Sequence, residues 1–249
     1  MQELLKPIRT ESLKEIFIRR FEELILSGVF PIGQKLPSER ELALQLSVSR
    51  PVVHEGLVDL AAKGLVTMIP RVGTTVNDYR KEGSLSLLTS LVNYQQGILE
   101  PELMTGLLEM RLLFEVETAR RAAVYRTQKQ LQSLHAILQN EENIDIYNGD
   151  EISELDFNFH HLVALASGNH VYPLLLNSFK QCYLNLASQF FIDAKVVSEV
   201  FGFHKELVKA IDDQDEKTAA QTMKRMLAHG ASHLVRQSAQ GKLLCSVCP

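Results

Sequence analysis

Residues 11–27 place Leu13, Ile16, Phe17, Phe21, Leu24 and Ile25 on one face at three-and-four spacing, with Arg20 the one polar residue among them. That periodicity predicts an amphipathic helix. Gly28 ends it, and Val29 to Gly33 reads as a short apolar turn held by Pro31 and Gly33. A second helix is predicted from Ser38, because Ser38 and Glu41 stand in the S-x-x-E spacing of a capping box. It carries Leu42, Ala43 and Leu46 inward. After a break at Ser47-Val48, a third helix starts near Ser49 with Pro51 in its first turn, where the missing N–H costs nothing. This one presents Val52, Val53, Leu57, Leu60 and Ala61 and ends at Lys63-Gly64. Leu65 to Ile69, then Pro70 to Gly73, then Thr74 to Val76 reads as strand, tight turn, strand.

The rest of the chain changes period. Residues 77–100 mix polar turn residues with a short apolar helix and read as a linker. Helical patterns then fit 101–125, 128–142, 150–167, 171–190, 195–211 and 215–238, with almost no strand-type alternation. The expected fold class is mainly α, an N-terminal winged helix-turn-helix followed by a C-terminal all-α bundle. The expected divisions are 1–78, a linker at 79–100, a helical domain at 101–240 and a tail at 241–249.

Composition adds limits. Hydrophobic residues are 45% and charged residues 22% of the 249, the balance of a globular protein. No run approaches the length of a membrane span, and the start is too polar for a signal peptide, so a cytoplasmic protein without membrane attachment is expected. Net charge is −4. Through residue 81, however, twelve basic residues stand against ten acidic ones, +2, leaving −6 for the remainder. Cys182 lies in an apolar helical stretch and reads as a buried thiol. Cys245 and Cys248 form a lone C-x-x-C; four ligands would be needed for structural zinc, and a frayed terminus is the plainer reading.

Two groups of residues suggest chemistry. A helix-turn-helix would insert its third helix into the major groove N-terminus first, presenting Ser49, Arg50 and His54. Arg50 would meet guanine edges or phosphate, Arg40 the backbone, and Arg71 at the wing tip the minor groove. A three-helix unit with a hairpin can also exist without touching DNA. In the second half, Asp156 and His160 are four apart on one helical face, His204 sits in a later apolar helix, and His229 and His233 share a face of the last. One carboxylate with imidazoles from separate helices is a natural set for zinc, nickel or manganese. Eight histidines in a chain of this length is nevertheless ordinary.

The N-terminal motifs, L-P-S-E-R-E-L-A at 36–43, V-S-R at 48–50, the L-x-x-L-A-A-K-G-L-V run at 57–66 and G-T-T-V at 73–76, resemble the DNA-binding domain of GntR-type repressors. The resemblance covers about residues 10–78 and implies operator binding through Arg40, Ser49, Arg50, His54, Arg71 and Gly73. His54 departs from it, since the family usually has arginine there, followed by Glu-Ala-Leu where this chain has Glu55-Gly56-Leu57.

Residues 100–240 are similar to the helical FCD-type effector domain of the FadR branch, through E-M-R-x-x-x-E at 109–115, D-x-x-x-H at 156–160 and A-S-G-N at 166–169. In metal-binding members this implies ligands at Asp156, His160 and His204, with Met226 at the usual fourth position. Either His229 replaces it, the site has three protein ligands, or it is empty. Arg111 falls where such domains pair an acidic effector, and an ion pair with Glu115 is the alternative use for it. The stretches 154–158, 164–169 and 172–177 are instead close to acyl-CoA-responsive, metal-free members.

The resemblance thus implies a homodimeric regulator, a repressor or activator rather than an enzyme. Its operator affinity would answer to a small carboxylate or to an acyl-CoA. A metal-dependent hydrolase built on Asp156, His160 and His204 is the rival of a different class.

Overall fold

The computed structural model describes residues 11–94 and 100–239, and the chain divides into two compact units, the first ending at Tyr94. The terminal C-x-x-C lies outside the described residues. Among those described there are twelve helices and one two-stranded sheet. No helix among them is long and apolar enough to cross a membrane.

The first unit contains α1 (Leu13–Leu26), α2 (Glu39–Leu46), α3 (Arg50–Ala62), β1 (Val66–Ile69), β2 (Gly73–Val76), α4 (Tyr79–Glu82) and α5 (Leu87–Tyr94). Capping boxes start α1 at Ser12/Glu15 and α2 at Ser38/Glu41, each satisfying backbone N–H groups that the first turn leaves free. The strands are antiparallel, Val66 opposite Val76 and Ile69 opposite Gly73. Phe17, Phe21, Leu42, Val53, Leu57, Leu60, Leu65 and Val76 close one apolar core. The buried face of α1 is narrower than its periodicity suggested. Leu13 and Ile16 are exposed, and Glu22 is buried instead.

Glu22 explains a second difference. The segment expected to be a linker at 79–100 is, as far as Tyr94, part of this first unit. Leu87 joins the apolar core, and Lys63 bonds both Glu22 and, at 2.9 Å, Ser90 Oγ. The Ser90 hydroxyl in turn donates to Glu22 Oε1 at 2.8 Å. Gly64 allows the close approach: at φ +79 a Cβ there would stand 1.9 Å from the Glu82 carbonyl oxygen. Local polarity in 77–86 looked like a linker because a three-residue buried polar contact across 68 positions leaves no periodic trace.

The second unit contains α6 (Pro101–Tyr125), α7 (Gln128–Asn143), α8 (Gly149–Ala166), α9 (Val171–Ser178), α10 (Lys180–Phe190), α11 (Ala194–Asp212) and α12 (Glu216–Ala239). α6 packs along α12 and α8, α8 also meets α7, α9 and α10, and α11 lies against α12, α7 and α6. α10 and α12 touch only lightly. The single helix expected over 171–190 is two, broken at Phe179 with φ −118° and ψ 18°. Phe179 is buried and packs edge-on against Phe114, with ring centroids 6.0 Å apart. A tertiary contact bends a run that is apolar on both sides of the bend.

Gly56 of α3 faces the Phe17 ring so closely that a Cβ would lie 2.3 Å from Cδ1. Phe17 cannot yield freely, being stacked on Phe21 at 4.2 Å. Gly56→Ala gains about 1 kcal/mol of helix propensity but overpacks a core at a cost of about 1–3 kcal/mol. The expected result in urea denaturation is a net loss of stability of about 1 kcal/mol, recovered when Phe17→Leu is added.

Candidate nucleic-acid interface and buried polar cavity

In the first unit the residues expected to meet DNA lie at the surface. α2 and α3 are joined through Ser47 in the left-handed region at φ 54° and Val48, and Ser49 caps α3 with its backbone while its hydroxyl makes no cap hydrogen bond. That hydroxyl is therefore free for a phosphate. Val53 and Leu57 pin the inner face of α3, leaving Arg50 and His54 outward with side chains 67% and 56% exposed. Glu39, in the first turn of α2, reaches both: its Oε1 lies 2.7 Å from His54 Nδ1 and its Oε2 4.0 Å from Arg50 Nη2. Arg40 and Arg71 are exposed, and neither makes an ion pair with another described residue.

The wing turn places Arg71 at φ 64° and Gly73 at φ 125°. At Gly73 a Cβ would lie 2.7 Å from Lys35 Cε, so the glycine serves both the turn and a lysine laid across the wing. Lys35 also forms a backbone bridge to Thr75, bringing a further cation to the hairpin. Glu39 lies inside the 36–43 motif and Lys35 just before it, but neither was assigned a role from sequence, since those roles depend on contacts between elements.

The second unit brings Asp156, His160 and His204 together and buries all three; one ligand atom from each lies within 4.8 Å of the others. The Nε2 atoms of His204 and His160 are 3.4 and 3.9 Å from Asp156 Oδ1. Each ring is held from behind. Glu141 Oε1 contacts His204 Nδ1 at 2.6 Å, and Glu115 Oε2 contacts His160 Nδ1 at 2.5 Å. A carboxylate behind each Nδ1 orients the ring so that Nε2 faces Asp156, the arrangement that metal-ligating imidazoles use. His204 Nε2 is buried without a hydrogen bond. The three donors thus fit a zinc-, nickel- or manganese-type cation held by three protein ligands.

His229 does not join them. Its Nε2 lies 2.8 Å from Glu199, a residue of α11, and its ring packs near Phe203 and Phe190. Met226, three residues earlier on α12, lines the cavity, while His229 is drawn to Glu199 on α11.

Around this cluster runs a chain of charges. Arg111 Nε donates to Glu115 Oε1 at 2.6 Å, its Nη2 to Tyr183 Oη at 3.3 Å, and its guanidinium lies over the Tyr183 ring. The Tyr183 hydroxyl donates to Asp156 Oδ2. Burial opposes ionisation of Glu115, but the charges of Arg111 and His160 overcome it and hold the carboxyl at about 2. Asp156 is likewise held at about 2, burial being outweighed by the close approach of His204, by His160 and by the Tyr183 hydroxyl. Burial also works against charge on His204, yet Asp156 and Glu141 raise it to about 9. So Arg111 is not a surface pair with Glu115 but a buried one. Tyr183, Glu115 and Glu141 are the functional candidates that motif spacing did not single out as site residues.

A cavity of about 50 Å³ opens beside the cluster. Arg111, Asp156, His160 and Tyr183 form its polar end, and Leu186, Phe190, Val200, Leu227 and Leu234 its apolar wall, mostly from the lightly packed α10 and α12. Cys182 is buried nearby on α10, its thiol pushed up to about 11 by burial, so it is an inert packing group.

Comparison with known proteins places both units. Residues 15–76 match the family model for bacterial regulatory proteins of the gntR family, and residues 77–242 match the FadR C-terminal domain. The chain is 31% identical over 193 residues to the fatty acid metabolism regulator protein of Proteus mirabilis, covering 78% of each. It is 30% identical over 195 residues to the protein of the same name from Klebsiella pneumoniae, covering 77% of this chain and 79% of that one. In fold it is similar to the solved structure of Lar, described as controlling expression of the Listeria monocytogenes agr system (TM-score 0.64, 17% identity, 92% of this chain and 99% of that one). The family boundary at residue 77 precedes α4 and α5, which nevertheless pack with the first unit.

Removing Glu115 would strand a buried guanidinium. Glu115→Ala is expected to cost about 3–5 kcal/mol in denaturation of the full chain followed by far-ultraviolet circular dichroism. Glu115→Gln, which still offers Arg111 an acceptor oxygen, should cost clearly less.

Proposed function

The chain belongs to the GntR family of bacterial regulatory proteins, with a FadR C-terminal domain, and from that premise we propose that it is an operator-binding regulator of fatty-acid metabolism, controlled by an acyl thioester in its helical unit. The family and the named relatives are transcription regulators, not enzymes, which removes the hydrolase reading. Operator contacts fall to Arg40, Ser49, Arg50, His54, Arg71 and Gly73. The protein acts in the cytoplasm as a homodimeric repressor on a palindromic site.

The observation that carries the effector class is the cavity with one polar end and an apolar wall, the complement of an amphiphile. Charge at the polar end narrows it further. Arg111 is already paired with Glu115, and His204 lies between Asp156 and Glu141. A free carboxylate entering there would find no surplus cation. The neutral carbonyl of a thioester needs none and accepts from Arg111 or Tyr183.

A second reading rests on Asp156, His160 and His204. A divalent cation held by them would supply the missing positive charge and admit a small carboxylate beside Arg111. Asp156 and the two imidazoles would bind it, with Glu115 and Glu141 orienting the rings.

The readings separate in one titration of operator release, with chelator-treated protein and fluorescent duplex. Release by a long-chain acyl-CoA without added metal, weakened at least tenfold in Tyr183→Phe combined with Arg111→Met, is the expected outcome. Release by carboxylates that requires zinc or nickel and vanishes in His160→Ala would favour the second reading instead. If neither ligand class changes operator affinity, effector control itself is wrong.

A further inference from the structure

The contact between Glu39 and His54 has consequences for which base the operator carries. We propose that His54, held by Glu39, reads a base offering an amino N–H in the major groove, adenine or cytosine, at one position of each half-site. The inference rests on the operator-binding reading and concerns its specificity.

The polarity follows from the geometry. His54 Nδ1 lies 2.7 Å from Glu39 Oε1, across 15 residues of sequence. An ionised carboxylate only accepts, so Nδ1 carries the proton. The neutral ring then presents Nε2 as a lone pair, and Nε2 makes no hydrogen bond to another described residue. His54 stands one turn after Arg50 and is exposed like it, while Val53 and Leu57 of the same helix are buried.

Arginine and lysine at such a position are donors and select guanine, whose groove edge offers N7 and O6 as acceptors. A ring fixed in the Nδ1–H form has the opposite polarity. It meets guanine O6 and thymine O4 lone pair to lone pair, and it accepts from adenine N6 or cytosine N4. Glu39 is thus a positioning residue: it touches no base and acts by choosing the tautomer of the one that does.

Isosteric Glu39→Gln tests this, because an amide either accepts from Nδ1–H or donates to bare Nδ1 and so no longer fixes the tautomer. The experiment is selection from randomised duplex DNA at pH 8, using full-length wild type, Glu39→Gln and His54→Arg. Thermal unfolding confirms that each variant is folded. The position read by His54 is the one that changes in His54→Arg, where guanine should appear. At that position wild type should enrich adenine or cytosine roughly fivefold over guanine and thymine, the scale of one net hydrogen bond. In Glu39→Gln the preference should fall below about twofold while the rest of the motif persists, which loss of folding would not produce. Guanine or thymine in the wild-type motif, no position altered by His54→Arg, or an unchanged Glu39→Gln motif would each overturn the proposal. A wild-type selection with no motif at all would overturn the operator-binding reading and this inference with it.

Discussion

Asp156 is a carboxylate buried in a helical bundle, and it is tolerable there only because donors surround it. An unpaired buried carboxylate would protonate or unfold its surroundings. Here the Tyr183 hydroxyl takes one oxygen and the His204 and His160 imidazoles face the other. Each of those partners needs its own support. Glu141 backs His204, Glu115 backs His160, and Arg111 neutralises Glu115 while bonding Tyr183. The circuit ties α6, α7, α8, α10 and α11 through polar contacts at one level of the bundle. Packing alone could let such helices slide by a methylene at small cost; a closed ring of charges cannot slide without opening. The register of the helical unit therefore follows from the same groups that form the polar end of its cavity.

The first unit solves the opposite problem. Its charges lie mostly at the surface, its core is nearly all apolar and its caps are local. The exception is the Glu22, Lys63 and Ser90 contact, which fastens α5 to the end of α3. That one buried polar knot extends the unit past the wing to Tyr94. Glu39 is a smaller case of the same economy: one carboxylate near the surface reaches both Arg50 and His54 of α3.

How much of this could be read from the chain depended on the range of the interaction responsible. Capping boxes at Ser38/Glu41 and the Thr127 cap of α7 are written within four residues, and those helix starts lie where the pattern places them. The D-x-x-x-H at 156–160 is one helical turn, and His204 could be grouped with it by residue type and by family resemblance but not by spacing; the structure brings all three together. His229 shows the limit. Helical spacing leaves it close to the face of Met226, yet Met226 and Gly230 line the cavity while His229 pairs with Glu199 on α11, a choice that only the neighbouring helix decides. Glu141 and Tyr183 were illegible for a different reason. Nothing in a heptad or a capping motif distinguishes a buried acid or phenol from a surface one until its partner, on another helix, is known.

The size of the cavity constrains how an effector could act. About 50 Å³ holds little more than a water or two, far less than an acyl chain. A chain can enter only if its apolar wall yields, and the wall that yields at least cost is the light contact between α10 and α12. The residues there suit that motion: Ala187, Gly230 and Ala231 give up little packing, and Met226 repacks readily. The closed cavity then excludes the ligand while the opened one admits it. A ligand with that difference in affinity necessarily shifts the population toward the open form, by as much as the difference and no more. Control by an acyl group would therefore need no separate trigger. On that reading, the closed cavity is what would make binding of an acyl group consequential.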